Sequence, residues 1–148
     1  MIHFVDEDHA AYGAWIAELK LRGHTVQLTG NADEAYRILA QVPDAQIVVI
    51  DIMLAVEDPR TTRFTVERTD DFLETGLRLL EDLTEANPLV FPRRAVLLTN
   101  TIAETTFSEA RRLSKELGVP LWQKSAIFSP VEFGDRVEQF LDAGSHEN

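Results

Sequence analysis

Four polar residues each follow a short apolar run, at positions where they could together bind an anionic group. The runs span residues 2–5, 47–50, 95–98 and 119–122, and they are followed within two positions by Asp6, Asp51, Thr99 and Lys124. Each run is too short for a helix, and the middle two are typical of buried parallel strands. The carboxyl ends of parallel strands share one edge of the sheet, so the four side chains are expected to meet there.

This group of side chains suits phosphoryl chemistry. Asp51 would lie close to the acidic residues Asp6 and Glu7, and such like charges raise one pKa unless a cation lies between them. A divalent ion that prefers oxygen ligands, in a cell Mg²⁺, resolves that conflict. Lys124 would add a positive charge, and Thr99 would donate a hydrogen bond to an anionic oxygen. Taken singly, Asp6 or Thr99 could cap a helix and Lys124 could be a solvated lysine, but the set predicts a site for a phosphoryl group on Asp51.

The elements that must position these residues alternate between strand and helix. A fifth, more exposed strand is predicted at residues 25–29, and apolar periodicity predicts helices near residues 12–22, 31–42, 71–87, 104–117 and 130–143. Asn31 and Ser129 are predicted N-caps, with Glu34 and Glu132 three residues later. Alternation of this kind predicts an α/β fold, a doubly wound parallel sheet with helices on both faces.

One connection is far longer than this plan needs. About 20 residues separate Asp51 from the expected start of the third helix near Asp71, whereas such loops usually have about 2–6 residues. Phe64 and Val66 lie there among arginines and threonines. The composition indicates a contact surface or a lid, and it equally permits a disordered segment.

Composition excludes several classes of function. The chain has 148 residues, no cysteine and a formal net charge of −11. It is the size of one domain, it cannot form thiolate metal sites or disulfides, and its charge repels nucleic acid. No basic and apolar leader and no apolar run of membrane-spanning length is present. The interpretation at this point is a soluble, cytoplasmic protein that binds neither nucleic acid nor membrane directly.

From residue 2 to about residue 141, the order of these motifs resembles the receiver domain of bacterial two-component response regulators. The motifs are Val5-Asp6-Glu7-Asp8, Asp51, Thr99, Lys124 and the stretch Thr75-Gly76-Leu77 that opens the third helix. The resemblance implies a flavodoxin-like sheet of five strands in the order 2-1-3-4-5. It also implies one receiver domain at residues 1–143, with an insertion at about 54–70 and a frayed tail at 144–148.

The resemblance further implies the roles of individual residues. Asp51 would be the phosphoacceptor, Thr99 the switch hydroxyl and Lys124 the conserved lysine of the family. Mg²⁺ would be held by Asp6, Glu7, Asp51 and the main-chain carbonyl of Met53. A sensor histidine kinase or a phosphotransfer protein would supply the phosphoryl group, and the chain would not be an enzyme beyond slow self-modification and its reversal.

The same resemblance implies how a signal would leave the domain. Movement of Thr99 would remodel the face made by the predicted fourth helix, fifth strand and fifth helix, which would contact a downstream protein or a second copy of the chain. With 148 residues, a stand-alone regulator without an output domain is expected.

The sequence also departs from the family pattern. Ser125 stands where a proline usually follows the lysine, and Leu121 stands where an aromatic residue is frequent. The alternative to a phosphorylated regulator is therefore a receiver-like interaction module that works without phosphorylation. A haloacid-dehalogenase phosphatase would need an aspartate at position 53, where the chain has Met53, and no P-loop sequence is present.

Overall fold

The computed structural model describes residues 1–8, 12–41, 45–100, 104–127 and 129–145. Its five strands form one sheet, paired in parallel in the order β2-β1-β3-β4-β5. The predicted fold class, a doubly wound five-stranded parallel sheet of this order, is therefore confirmed. The strands are β1 (Ile2–Val5), β2 (Val26–Thr29), β3 (Ile47–Asp51), β4 (Ala95–Thr99) and β5 (Leu121–Gln123).

Helices connect these strands along the described chain. They are α1 (Gly13–Leu21), α2 (Ala32–Gln41), α3 (Thr75–Ala86), α4 (Phe91–Arg94), α5 (Glu104–Leu117) and α6 (Pro130–Ser145). The predicted fourth and fifth helices correspond to α5 and α6, whereas α4 is a single turn that the sequence pattern did not indicate. Helix α6 continues through Gly144, where the sequence predicted a frayed tail, and residues 146–148 lie outside the described part. None of the described helices is both long and apolar enough to cross a membrane.

Two apolar cores lie on opposite faces of the sheet, because successive strand residues point to opposite sides. In β3, Val48 and Ile50 belong to the core covered by α2, α3 and α5. Ile47 and Val49 belong to the core covered by α1 and α6. All four side chains are buried. Covered on both faces, the central strands hold the residues that follow them at one fixed edge.

Both predicted helix caps are present. The Oδ1 atom of Asn31 accepts a hydrogen bond from the backbone N–H of Glu34 at 2.8 Å. The Oγ atom of Ser129 accepts one from the backbone N–H of Glu132 at 3.1 Å. These bonds satisfy N–H groups that a first helical turn otherwise leaves without a partner.

The third helix starts later than predicted, at Thr75 rather than near Asp71. Asp70, Asp71 and Phe72 have φ angles of 51°, 58° and 65° and form a left-handed turn. The hydroxyl of Thr69 accepts a hydrogen bond from the backbone N–H of Phe72 at 2.9 Å, which holds the turn. The apolar periodicity continued through this turn, so it could not mark the true start of the helix.

The β3–α3 segment, residues 52–74, packs against the body of the domain. The side chain of Phe64 is 0 % exposed and lies in the same apolar core as Leu54. Val66 differs from Phe64, because 43 % of its surface is exposed. The segment therefore contributes to the core through one of its two candidate apolar residues and leaves the other at the surface.

Two arginines of this segment reach a buried acidic residue of α3. The Nε atom of Arg63 lies 3.0 Å from Oδ2 of Asp82, whose side chain is only 6 % exposed. Arg68 forms two further hydrogen bonds to the same carboxylate, the one to Oδ2 measuring 2.9 Å. The guanidinium of Arg63 also lies over the ring of Tyr36 in α2, 3.9 Å from its centroid. Ion pairs thus join the segment to α3, and a cation–π contact joins it to α2.

Candidate functional site

A pocket of about 350 Å³ opens at the carboxyl edge of the sheet. The ends of β1, β3 and β4 meet there with the residue after β5, as parallel pairing requires. Among the described residues, every position that the sequence singled out for the site lines this pocket. The lining residues are Asp6, Glu7, Asp8, Tyr12, Asp51, Met53, Thr99, Asn100 and Lys124.

Asp51 is the last residue of β3, and its side chain is 12 % exposed. Its Oδ1 atom lies 3.4 Å from the Nζ atom of Lys124. Burial, followed by the negative charge of Asp6, raises the pKa of Asp51 to about 8, although a hydrogen bond from the backbone of Ile52 acts in the opposite direction. The ammonium group of Lys124 therefore does not offset the two effects that disfavour the ionised form of Asp51, namely the loss of hydrating water and the negative charge of Asp6.

Asp6 follows β1 and is only 1 % exposed. Its Oδ1 atom accepts a hydrogen bond from the backbone N–H of Asp8 at 2.9 Å. Its Oδ2 atom is buried and has no hydrogen-bond partner within the described chain. The ammonium group of Lys124 lies 3.7 Å from that oxygen, beyond hydrogen-bonding distance. A buried carboxylate oxygen without a donor is costly unless something else binds it.

Lys124 begins a short 3₁₀ turn, Lys124–Ala126, directly after β5. Its side chain is 13 % exposed and faces both acidic residues, Asp6 and Asp51. Burial lowers the pKa of Lys124, and the negative charge of Asp6 opposes that shift. Ser125 occupies the second position of the turn, so this chain holds the lysine without the proline that the family pattern contains.

The remaining predicted residues lie around the rim and wall of the pocket. Thr99 ends β4 and is 2 % exposed, so its hydroxyl is part of the buried wall. Glu7 is exposed at the rim, and Met53 is 42 % exposed. Met53 is the only residue of the β3–α3 segment, which is described throughout, among those that line the pocket.

Gly76 fixes the backbone next to Asp51. Its N–H group donates a hydrogen bond to the carbonyl oxygen of Ile52 at 2.7 Å. A Cβ atom at position 76 would lie 2.0 Å from the carbonyl oxygen of Asp51. Only glycine permits this close approach, so the start of α3 is held directly against the end of β3.

The side chains fit a cation that needs few protein ligands. The described chain contains no group of three or more His, Cys, Asp or Glu side chains arranged to hold a metal ion. The pocket instead offers the carboxylates of Asp6 and Asp51, one of them with a buried oxygen that lacks a donor, and Glu7 at the rim. Mg²⁺ commonly binds through one or two carboxylates and keeps several waters, so this donor set fits that ion.

Tyr12 is a pocket residue that sequence reasoning missed. Its periodicity placed it on the apolar face of the first helix, and its ring does contact the core residue Phe4 at a centroid distance of 5.3 Å. The same ring lines the pocket, with the Lys124 ammonium 4.5 Å from its centroid. Its position in the sequence, shortly after the acidic residues that follow β1, was the one signal that could have placed it near the pocket.

The sequence matches no protein-family model and no curated protein sequence. Solved structures do resemble it. A CheY-like response regulator receiver domain protein from Methanospirillum hungatei JF-1 has a TM-score of 0.70 and 18 % identity, covering 99 % of this chain and 97 % of that one. The receiver domain of NtrX from Brucella abortus has a TM-score of 0.65 and 19 % identity, covering 96 % and 98 %. A Francisella response regulator receiver domain has a TM-score of 0.65 and 17 % identity, covering 96 % of each chain. The chain therefore has the receiver-domain fold along nearly its whole length.

Proposed function

We propose that this chain, whose fold is that of response regulator receiver domains, accepts a phosphoryl group on Asp51 and signals through protein contacts. The observation that carries the proposal is the largely buried carboxylate of Asp51 with the ammonium of Lys124 3.4 Å from it, beside an open pocket. Buried charges in an open pocket are typical of functional sites. The chain would modify itself and would not turn over a substrate.

In the proposed reaction, a carboxylate oxygen of Asp51 attacks the phosphorus atom of a phosphohistidine or an acyl phosphate. An oxygen–phosphorus bond forms as the bond from phosphorus to the leaving group breaks, and the leaving group departs with that electron pair. The ammonium of Lys124 would face the transferred oxygens, and the hydroxyl of Thr99 would donate a hydrogen bond to one of them. Such positioned charges supply most of the stabilisation in phosphoryl transfer.

The proposal includes Mg²⁺, held by Asp6, Glu7, Asp51 and the main-chain carbonyl of Met53. When bound there, the ion would supply positive charge that offsets the carboxylates and the phosphoryl oxygens. The raised pKa of Asp51 supports this need, because at a pKa of about 8 much of the carboxylate would be protonated at neutral pH and could not attack. Asp6 would hold the ion through the buried oxygen that lacks a donor.

The proposed output surface is the face made by α5, β5 and α6. A groove of about 520 Å³ lies there between α5 and β5, and the described residues that line it include no carboxylate, although the chain has a net charge of −11. Remodelling around Thr99 at the end of β4 would reach α5 next along the chain. A downstream protein or a second copy of the chain would read this face, and a sensor histidine kinase or a phosphotransfer protein would act at the pocket. The groove residues are Phe107, Arg111, Ser114, Lys115, Leu121, Gln123, Ala126 and Arg136.

Intact mass after incubation with acetyl phosphate and Mg²⁺ tests the proposal. The wild type should gain one phosphoryl group, and Asp51→Asn should gain none. Asp58→Asn is a matched control, because Asp58 lies in the adjoining segment and is absent from the pocket lining. That variant should be modified like the wild type.

Two results would contradict the assignment. Unchanged modification of Asp51→Asn would place the phosphoryl group on another residue. A wild type that gains no phosphoryl group, and that also does not bind beryllofluoride with Mg²⁺, would favour the phosphorylation-independent interaction module.

A further inference from the structure

We propose that Tyr12 positions the ammonium group of Lys124 through the face of its aromatic ring, and thereby sets the rate at which Asp51 is phosphorylated. The role of the contact in the reaction rests on the proposed function, whereas the contact itself does not. Tyr12 would be a positioning residue, because it acts on the phosphoryl group only through Lys124.

The ring and the two carboxylates surround the ammonium group. The Nζ atom of Lys124 lies 4.5 Å from the ring centroid of Tyr12, 3.4 Å from Oδ1 of Asp51 and 3.7 Å from Oδ2 of Asp6. A cation over an aromatic face within about 6 Å is attracted by the ring quadrupole. The contact lies out of bulk water, since Tyr12 is only 8 % exposed. Such a site strengthens the attraction.

The ring of Tyr12 is itself held firmly. Tyr12 directly precedes α1, and its carbonyl oxygen accepts a hydrogen bond from the N–H group of Ile16 at 2.9 Å. Its ring lies 5.3 Å from that of Phe4 in β1 and 5.5 Å from that of Trp15 in α1. Trp15 in turn stacks on Phe133 of α6 at 4.6 Å. Rings from three elements of the fold therefore determine where the face of Tyr12 lies.

The groups around the Lys124 ammonium differ in whether their charge can change. The long side chain of Lys124 has many rotamers, and the residue after it is Ser125 in a 3₁₀ turn at the edge strand. The two carboxylates attract the ammonium, but the charge on Asp51 changes when that residue is modified. The ring of Tyr12 is neutral and does not change, so it would hold the ammonium in place before and after phosphoryl transfer.

Nuclear magnetic resonance of selectively ¹³C-labelled lysine tests the contact without phosphorylation. The chain has only three lysines, Lys20, Lys115 and Lys124, so each ε-CH₂ signal can be assigned with a Lys124→Arg variant. Ring current from Tyr12 should displace the Lys124 signal upfield in the wild type and in Tyr12→Phe. In Tyr12→Leu that displacement should disappear. A Lys124 signal in the wild type at the position of the two exposed lysines would overturn the proposal.

The rate of modification by acetyl phosphate tests the consequence for the reaction. Tyr12→Leu should lower the rate at saturating phosphodonor by up to about thirtyfold, because the free energy of a cation–π contact is the upper limit of the loss. Tyr12→Phe keeps the ring face and should react at close to the wild-type rate. In a Lys124→Ala background, Tyr12→Leu should cause no further loss, because the group that the ring positions is gone.

Tyr36→Leu is the matched control. The Tyr36 ring also carries a cation, the guanidinium of Arg63 at 3.9 Å, but it belongs to α2 and does not line the pocket. Its rate should equal that of the wild type. A folded Tyr12→Leu variant that reacts at the wild-type rate would overturn the positioning role. A wild type that is never modified would instead overturn the proposed function, and the lysine signals would still decide whether the contact exists.

Discussion

Asp51 and Asp82 are both largely buried carboxylates, and their surroundings differ in one respect. Asp82 has a 6 % exposed side chain and lies between two guanidinium groups, those of Arg63 and Arg68. Asp51 has a 12 % exposed side chain and lies beside one ammonium group and a second carboxylate, that of Asp6. The protein therefore balances the charge of one buried carboxylate and leaves the other unbalanced.

This difference distinguishes a structural charge, that of Asp82, from the charge of Asp51, which we propose to be functional. A buried carboxylate whose partners are complete joins elements of the fold and has no capacity left for a ligand. A buried carboxylate with a raised pKa, next to an oxygen without a donor, costs stability that a bound cation would recover. The β3–α3 segment begins directly after Asp51, the pocket residue at the end of β3. The arginines of the segment neutralise the buried carboxylate of Asp82, whereas the carboxylate of Asp51 in the pocket lacks such compensation.

The largest expected effect tests whether the β3–α3 segment is part of the core. Phe64→Ala should lower the free energy of unfolding by about 3–5 kcal/mol, because it removes a fully buried ring. Chemical denaturation measures this loss. Val66→Ala, an exposed site in the same segment, should change stability by less than about 0.5 kcal/mol. Equal, small effects at both positions would mean that the segment does not pack as a structural unit.

The next largest effect tests whether Mg²⁺ binds in the pocket. At Mg²⁺ concentrations about a hundredfold above the dissociation constant, binding should stabilise the fold by about 2.7 kcal/mol. The melting temperature should therefore rise with Mg²⁺ in the wild type and much less in Asp6→Asn. Asp82→Asn should retain the full rise. An equal rise in Asp6→Asn would place the ion outside this pocket.

Replacing each of the two carboxylates by an amide should change the stability of the fold in opposite directions. Asp82→Asn should destabilise the fold by about 1–3 kcal/mol, because two arginines lose a charged acceptor. Asp51→Asn should raise the melting temperature in metal-free buffer, because an amide beside Asp6 needs neither a buried charge nor the proton uptake on folding that a pKa of about 8 implies. Destabilisation by Asp51→Asn under those conditions would contradict the view that the site is electrostatically incomplete.

The pH dependence of stability follows from the same raised pKa. The carboxyl of Asp51 titrates near its ordinary value of 3.8 in the unfolded chain and at about 8 in the folded one. Between these values the folded state holds a proton that the unfolded state has released, so stability falls as the pH rises toward 8. Denaturation in chelator at several pH values should show this fall in the wild type and a flatter profile in Asp51→Asn.

The smallest expected effect concerns an ion-pair network at the surface between α3 and α5. Hydrogen bonds from Arg112 and then Arg78 lower the pKa of Glu109 to about 2. This stabilisation is complete above the unfolded value of 4.5 and is lost as the pH falls toward 2. Glu109→Gln should cost about 0.5–1 kcal/mol at pH 7 and less at pH 2, where the carboxylate is about half protonated, as acid titration of unfolding would show.

The sequence by itself determined the order of the five strands and of every described helix except the single turn α4, because apolar runs of strand length and helical periodicity are local properties of the chain. Parallel pairing then requires the carboxyl ends of the strands to meet, so Asp6, Asp51, Thr99 and Lys124 could be grouped from the sequence. The caps Asn31 and Ser129 were also readable, because a cap and the N–H group that it binds lie three residues apart.

Only the tertiary structure decided where α3 begins, which apolar residues of the β3–α3 segment are buried and which ring contacts Lys124. The left-handed turn at residues 70–72 delays α3, because the Thr69 hydroxyl and not the apolar pattern determines where the helix begins. Phe64 and Val66 have the same local signal, yet only Phe64 finds a place in the core. The contact of Tyr12 with Lys124 joins residues 112 positions apart, and a distance of that kind depends on how helices pack across the sheet. Local patterns fix elements, whereas burial and charge balance depend on neighbours that the chain supplies only when it is folded.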